Sequence, residues 1–336
     1  MGGKVVNDVV NNTNNQIFGT GFIPSETDER DYGIDKIGIK YNSENTNEFL
    51  VKYLPNIYNQ EATSQCVAFS LAKIKEAQEL KERGIRIRFS NSFIYANRDE
   101  RDYQGEGMYP REALKRLSKY GTSKYGYFDK LDTYPNVKKE FDNRLNELLP
   151  LGLSQRINTY VRLKSNEDIM AFLVEENVPA LYCIELFENF VPNNGIIPMP
   201  SGKSLGGHAM VVCGWVTLNG NKHWVISNSW SEQWGINGYC YIPFEYPLME
   251  VWGTTDRNPQ DEFSKKQRIS FVVDTPMMYT DTGVIVMDTN TIIQNGRTMV
   301  SARYIAEALG LDIDYEELSD GRKVITLTNG GEVEKL

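Results

Sequence analysis

The order of patterns along this chain restricts its fold most strongly, because helix-like stretches come first and strand-like stretches follow. Residues 67–83 carry an apolar stripe at helical spacing and stop at Gly84. Ser90 can cap a second helix, and residues 109–121 predict a third. The first part of the chain is therefore predicted to be helical.

The stretch after about residue 155 has a different composition. Its apolar segments are rich in β-branched and aromatic residues, which is typical of strands. Asn219 and Gly220 separate two of these segments and indicate a hairpin turn. Helices followed by strands predict an α+β fold, with a cleft where the two parts meet.

The chain of 336 residues is long enough for two domains. Residues 1–21 are rich in Asn and lack periodicity, so we expect a flexible tail; a short plug lying in the cleft is the alternative. A main domain is predicted over 22–268, ending in a polar linker over 255–268. Residues 269–336 predict a small α+β module with a helix at 301–310 and a closing strand.

Charge and hydropathy exclude several classes of partner. The formal net charge of −9 argues against nucleic acid or an anionic membrane surface as the main partner. No apolar run of about 18 residues occurs, so we expect no membrane insertion. Residues 1–20 contain no apolar signal core, which predicts cytoplasmic synthesis and leaves the final location open.

Few residues of this chain could perform nucleophilic chemistry. There are only two histidines; His208 follows two glycines at the start of a strand, whereas His223 is expected at an exposed strand end. Cys66 precedes the long helix, where the helix dipole should lower the pKa of its thiol. A buried structural role is the alternative for Cys66 and for His208. Cys213 and Cys240 lie in predicted strands and are expected to be buried.

Four motifs in one order resemble the papain-like cysteine peptidases, in particular their bacterial branch. They are "NQEATSQCVAFS" at 59–70, "GEGMYPREALKRLSKYG" at 105–121, His208 followed by Ala209 and a strand, and "NSWSEQWGINGYCYI" at 228–242. The resemblance covers roughly residues 22–255. It implies a two-lobed fold, with a helical lobe and an antiparallel β-barrel-like lobe.

The resemblance also implies roles for individual residues. Cys66 would be the nucleophile, His208 the acid and base, and Asn228 the group that orients the imidazole. Gln60 would help to stabilise the oxyanion. The substrate-binding residues implied in the same way are Gly107, Met108, Cys183, Gly207, Ala209 and Trp230. The expected substrate is a peptide or protein, with no cofactor and no metal.

The chain departs from the family pattern at several positions. Ser231 and Met108 stand where many members have Gly, and Thr63 replaces a disulfide cysteine. A thiol endopeptidase is the main prediction, although an exopeptidase fits the same residues. Two alternatives stay open: a scaffold or attachment component of a larger assembly, such as a phage particle or a cell surface, and acyl transfer to an amine.

The C-terminal stretch at 283–330 resembles the copper amine oxidase N-terminal-like, or stalk, domain. Its marks are "NGRTMVSARYIAEALG" and the closing "KVITLT". Copper is not expected there, because no histidine follows His223 and imidazole is the usual copper ligand. A structural appendage and an attachment module remain alternatives for this stretch.

Overall fold

The computed structural model describes most of the chain, in two compact units that comprise residues 1–262 and 263–336. The described residues are 9–11, 16–29, 31–40, 46–99, 102–257, 269–280, 283–317 and 323–329. The linker predicted over 255–268 is described only as far as residue 257. The predicted domain boundary after residue 268 lies next to a stretch outside the described residues.

The helices of the first unit include all three that the sequence predicts. They are α1 (Cys66–Arg83), α2 (Asn91–Ala96), α3 (Pro110–Tyr120), α4 (Tyr134–Asn143), α5 (Leu145–Leu153) and α6 (Asn166–Glu176). Ser90 caps α2, since its Oγ accepts a hydrogen bond from the Phe93 N–H at 3.0 Å. Helices α4, α5 and α6 were not predicted from the sequence, and α6 lies within the strand-rich half.

The strands of the first unit are mostly where the sequence predicts them. They are β1 (Val9–Asn11), β2 (Gln16–Phe18), β3 (Glu48–Leu50), β4 (Thr159–Arg162), β5 (Ala180–Phe187), β6 (Ser204–Leu218), β7 (Asn221–Ser227), β8 (Tyr239–Pro243) and β9 (Leu248–Thr255). β1 pairs with β2, and the other seven form one antiparallel sheet in the order β4-β9-β5-β6-β7-β8, with β3 also on β6. Asn219 and Gly220, both with positive φ, turn β6 into β7.

Helix α1 joins the helical part of the first unit to the sheet. It packs on β5 and β6, and its residues from Cys66 to Glu79 are buried. The chain enters α1 through the loop that contains Gln60, and it leaves at Gly84 in the left-handed region. The start of α1 is thereby fixed against β6, the strand that carries His208.

The predicted flexible tail is partly packed. Residues 1–8 and 12–15 lie outside the described residues, but β1 and β2 form a short hairpin and the chain continues into the first unit. Phe18 is 2% exposed and Thr20 is 1% exposed. The prediction of a flexible tail is therefore wrong for residues 18–21, because two glycines let this backbone lie against the 61–64 loop.

The second unit is small, with its described residues mainly in strands. Its elements are β10 (Ile269–Phe271), β11 (Met277–Thr280), β12 (Gly283–Val286), β13 (Ile292–Gln294), β14 (Arg297–Met299), α7 (Ala302–Leu309), β15 (Leu311–Glu317) and β16 (Lys323–Asn329). Met278, Met287 and Tyr304 form its small core. The predicted helix and closing strand are present as α7 and β16.

Candidate active site

The candidate site lies where the start of α1 meets β6. Cys66 is the first residue of α1, and the backbone amide of Ala209 in β6 lies against its thiol. His208 precedes Ala209 in the same strand. Cys66 and His208 are both completely buried. Helix–sheet packing thus places Cys66 against the residue that follows His208 in β6.

The imidazole of His208 has one defined hydrogen bond. Its Nε2 lies 2.8 Å from Oδ1 of Asn228, and the Ser229 N–H donates to the same oxygen at 2.8 Å. The second bond identifies this atom as the amide oxygen, so the neutral imidazole must donate from Nε2. Among the described residues the Nδ1 atom of His208 has no hydrogen-bond partner. Nδ1 is therefore the ring nitrogen that can accept a proton.

Two tryptophans pack around this pair. The ring of Trp230 stacks on the His208 imidazole, with centroids 4.6 Å apart and planes at 26°. Trp234 meets Trp230 edge-on at 5.4 Å. Both indoles are buried, so they exclude water from the surroundings of the His208–Asn228 contact.

Gln60 connects the loop before α1 to the turn that carries Asn228. Its Oε1 accepts a hydrogen bond from Ser229 Oγ at 2.7 Å, and its backbone N–H donates to the Ser229 carbonyl at 2.9 Å. Its side-chain Nε2 donates to the carbonyls of Gly19 and Thr63, both at 2.9 Å. The side-chain N–H groups of Gln60 are therefore occupied by the Gly19 and Thr63 carbonyls in this structure.

Residues 18–23, here called the cover segment, run through the site and are held there by backbone hydrogen bonds. The N–H groups of Gly21 and Phe22 donate to the Gly207 carbonyl at 3.1 and 3.0 Å. Met108 donates its N–H to the Gly21 carbonyl at 2.9 Å, and its own carbonyl accepts from Ile23 at 3.2 Å. The cover segment thus bridges a loop of the helical part and the first residues of β6.

The start of the cover segment contacts Gln60 and Trp230. The Gly19 carbonyl accepts a hydrogen bond from Gln60 Nε2, and the ring of Phe18 stacks on the ring of Trp230 with centroids 5.0 Å apart. The backbone amide of Gly21 lies against the Cys66 thiol. The segment therefore contacts the nucleophile candidate, the amide of Gln60 and the aromatic wall at the same time.

The six predicted substrate-binding residues fall into two groups. Met108 and Gly207 hydrogen-bond to the cover segment, and Trp230 stacks on Phe18. Gly107 has φ +94°, and a Cβ there would lie 2.5 Å from the Gly21 carbonyl oxygen, so only glycine fits. The other two, Cys183 and Ala209, are cross-strand partners on β5 and β6 and are fully buried.

Burial dominates the electrostatics of the site. It raises the pKa of the Cys66 thiol to about 12, although the amides of Ala209, Val67 and Gly21 lower it. Burial also lowers the pKa of His208 to about 4, against the opposing effect of the Asn228 hydrogen bond. The expectation of a lowered Cys66 pKa is therefore wrong for this arrangement, in which both groups are uncharged at neutral pH.

Several features near the site were not predicted from the sequence. Lys73 is buried on α1 and donates to the turn at Ser227 and Asn228. His223 was expected to be exposed, but it is buried and its Nδ1 lies 2.9 Å from the Asn221 carbonyl oxygen. The sequence pattern that could have indicated the packed cover segment is "FGTGF" at 18–22, in which two glycines lie between two phenylalanines.

In the described part of the chain, no group of three or more His, Cys, Asp or Glu side chains is placed to hold a metal ion. No helix of the described residues combines the length and the apolar composition needed to cross a bilayer.

Sequence comparisons identify both parts of the chain. The profile of the papain family cysteine proteases matches residues 46–246, and that of the copper amine oxidase N-terminal domain matches residues 256–325. A cysteine protease of Blomia tropicalis is 26% identical over 202 residues, which are 56% of this chain and 57% of that protein. Cathepsin B-like cysteine proteinase 4 of Caenorhabditis elegans is 39% identical over 65 residues, 19% of each chain.

Solved structures agree on the fold. Xylellain, a cysteine protease from Xylella fastidiosa, superposes with a TM-score of 0.58 at 22% identity, covering 76% of this chain and 99% of its own. Procathepsin B S9 from Trypanosoma congolense gives 0.50 at 19% identity, covering 72% and 84%. The predicted two-lobed α+β fold is confirmed, and the chain belongs to the papain family of cysteine proteases.

Proposed function

We propose that this protein is a cysteine peptidase that cleaves peptide bonds through a thioester on Cys66. The observation that carries the proposal is a stretch of polypeptide, the cover segment, held by backbone hydrogen bonds beside Cys66 and His208. A cleft whose walls bind main-chain N–H and carbonyl groups is suited to peptide substrates of varied sequence. Membership of the papain family supports the same chemistry.

In the proposed reaction His208 first takes the thiol proton at Nδ1, which leaves a thiolate on Cys66. The sulfur attacks the scissile carbonyl carbon, and the developing oxyanion is stabilised by the Gln60 side chain and the Cys66 backbone N–H. The C–N bond then breaks as the imidazolium gives its proton to the leaving amine. Water, activated by the neutral imidazole, hydrolyses the thioester and restores the thiol.

Asn228 supports this cycle by holding the imidazole. Its Oδ1 accepts from Nε2, so the proton stays on Nε2 and Nδ1 remains free for the thiol proton. The stacked Trp230 limits rotation of the ring and excludes water. Both contacts are independent of the substrate, so the site is preorganised.

Turnover requires that the cover segment leave the cleft. Cys66 is completely buried beneath it, and Gln60 is occupied by the Gly19 carbonyl. When the segment leaves, water and substrate reach the thiol, and the desolvation that keeps Cys66 and His208 neutral decreases. In this proposal the short plug considered for the N-terminal tail is the resting state of the enzyme.

The test is labelling of the full chain with a thiol-directed epoxide, together with cleavage of a peptide library. We expect an adduct on Cys66 that requires His208, and loss of cleavage in the Cys66→Ala variant. Cys240→Ala, which removes another buried thiol, is the matched control and should keep activity. Full cleavage by Cys66→Ala would refute the assignment. The absence of both labelling and cleavage would favour a scaffold if it persists when Gly19→Ala and Gly21→Ala displace the cover segment.

A further inference from the structure

Lys73 is a lysine in an unusual environment. It lies seven residues after Cys66 on α1, which is close to two turns, so the two residues share one face of the helix. That face packs on the sheet, and Lys73 is only 1% exposed. Lysine is almost never fully buried unless its ammonium group is paired.

The ammonium group of Lys73 is satisfied by a single turn of the chain. Its Nζ lies 2.6 Å from Ser227 Oγ, 2.9 Å from the Asn228 carbonyl oxygen and 3.4 Å from the Ser227 carbonyl oxygen. An ammonium group has three N–H donors, so these three acceptors match its capacity. All three acceptors belong to the end of β7 and the residue that follows it.

The Ser227–Asn228 turn fixes the position of the Asn228 backbone, from which the Asn228 side chain extends to His208. The Asn228 N–H donates to the Gly238 carbonyl at 3.0 Å, and its carbonyl accepts from Lys73. The backbone of Asn228 is therefore held from both sides while its Oδ1 meets His208. Loss of the Lys73 bonds would leave buried carbonyls unsatisfied, and the turn would shift to find new donors.

The charge of Lys73 also acts on the site. The nearby acid on its own helix, Glu76, is already bound by Arg86 at 2.7 Å and by the Tyr58 hydroxyl. Burial lowers the pKa of Lys73 to about 8, while Cys213 and Glu76 raise it. The positive charge of Lys73 in turn contributes to the lowered pKa of His208.

We propose that Lys73 is a positioning residue, which fixes the Ser227–Asn228 turn from α1 so that Asn228 holds the His208 imidazole with its proton on Nε2. Because Cys66 begins the same helix, one rigid element sets both the nucleophile and the group that orients its base. The inference rests on the proposed function for its catalytic meaning, but the geometry can be tested without any peptidase activity.

The experiment uses the full chain with ¹⁵N-labelled histidine and compares Lys73→Met with wild type. The chain has only two histidines, so His208 gives one set of ring signals and His223 serves as an internal reference. In wild type we expect the Nε2–H tautomer of His208 with slow proton exchange. In Lys73→Met we expect a mixture of tautomers and at least about tenfold faster exchange, because Asn228 is no longer held.

Three variants separate positioning from general stability. Lys75→Met removes another buried ammonium from α1, one that pairs with Glu79 at 2.7 Å, and should leave the His208 signals unchanged. Lys73→Arg keeps a donor and a charge and should restore the wild-type tautomer. Ser227→Ala removes the shortest bond and should give a smaller change in the same direction, which also provides the test if Lys73→Met does not fold.

The kcat and KM of Lys73→Met test whether the position of Asn228 matters for peptide cleavage. If the chain is a peptidase, Lys73→Met should lower kcat by about tenfold or more with little change in KM, since Lys73 does not touch substrate. A wild-type His208 tautomer and exchange rate in folded Lys73→Met would overturn the inference. A changed tautomer in a protein that cleaves no peptide would retain it and reject the proposed function instead.

Discussion

At the scale of single residues, Ser231 is the departure from the family pattern with the clearest structural consequence. It has φ +71°, in the left-handed region that favours glycine, and it follows Trp230 directly. Its backbone N–H donates to the Tyr58 carbonyl at 3.1 Å, so the conformation is held by a bond that glycine would also make. The left-handed backbone therefore strains a serine at this position, although the Ser231 Oγ accepts a hydrogen bond from the Gln233 N–H at 3.3 Å.

Ser231→Gly should stabilise the first unit by about 0.5 kcal/mol or less. The left-handed conformation costs an L-residue about 1–2 kcal/mol, but the greater entropy of glycine in the unfolded chain and the loss of the long Gln233 N–H to Ser231 Oγ hydrogen bond offset most of the gain. Urea unfolding followed by tryptophan fluorescence measures this, since all five tryptophans lie between residues 215 and 252. Asn237→Gly, at φ +53°, should gain less because Asn tolerates this conformation; a destabilised Ser231→Gly protein would contradict the prediction.

At the scale of elements, the cover segment packs closely against the loop before α1. Its two glycines permit an approach to the loop before α1 that no side chain would allow. A Cβ at Gly19 would overlap the Thr63 carbonyl, and one at Gly21 would overlap the Ser64 carbonyl. Neither carbonyl can swing aside as a flexible side chain would, because both belong to the backbone that leads into Cys66.

Gly19→Ala combined with Gly21→Ala should open the site. We expect alkylation of Cys66 by iodoacetamide to accelerate at least about tenfold, because the buried thiol becomes exposed and its pKa falls. Mass mapping of the adduct against time gives the rate. Cys183, Cys213 and Cys240 should stay unlabelled, which distinguishes opening from unfolding.

Gly33→Ala is the matched control for this experiment. Its new Cβ would meet only the flexible side chain of Asp35, away from the cover segment. Cys66 should therefore react at the wild-type rate in that variant. An unchanged rate in the double variant would show that the cover segment does not limit access to the thiol.

At the scale of the whole molecule, the buried imidazole links the stability of the first unit to pH. His208 has a pKa of about 4 in the folded chain and an ordinary value of 6.5, so the unfolded chain binds more protons between these values. Stability from this group is complete above pH 6.5 and is lost as the pH falls toward 4. The loss amounts to about 3 kcal/mol, at about 1.4 kcal/mol per pKa unit.

In His208→Asn the free energy of unfolding should therefore fall less steeply between pH 6.5 and pH 4 than in wild type. Urea midpoints measured between pH 7 and pH 4 by tryptophan fluorescence give the slope for each protein. Equal slopes in wild type and His208→Asn would mean that the imidazole is protonated as readily in the folded chain as in the unfolded one.

The sequence alone determined the class of fold and the order of its parts. Helical periodicity from Val67 to Arg83, β-branched runs after residue 155 and the Asn219-Gly220 turn depend on local physics, which a sequence displays directly. The motifs around Cys66, His208 and Asn228 pointed to one family, and the comparisons confirmed it. Helix α6 was missed because its short pattern lies among strands.

Only the tertiary structure decided the state of the site. The pKa of Cys66 depends on what buries it, and the burying segment lies more than forty residues earlier in the chain. Lys73 looks like a solvent-facing lysine in the sequence, but helix–sheet packing turns it inward to the Asn228 turn. Burial and long-range hydrogen bonds arise from residues distant in sequence, so local patterns could name the reactive groups but not their environment.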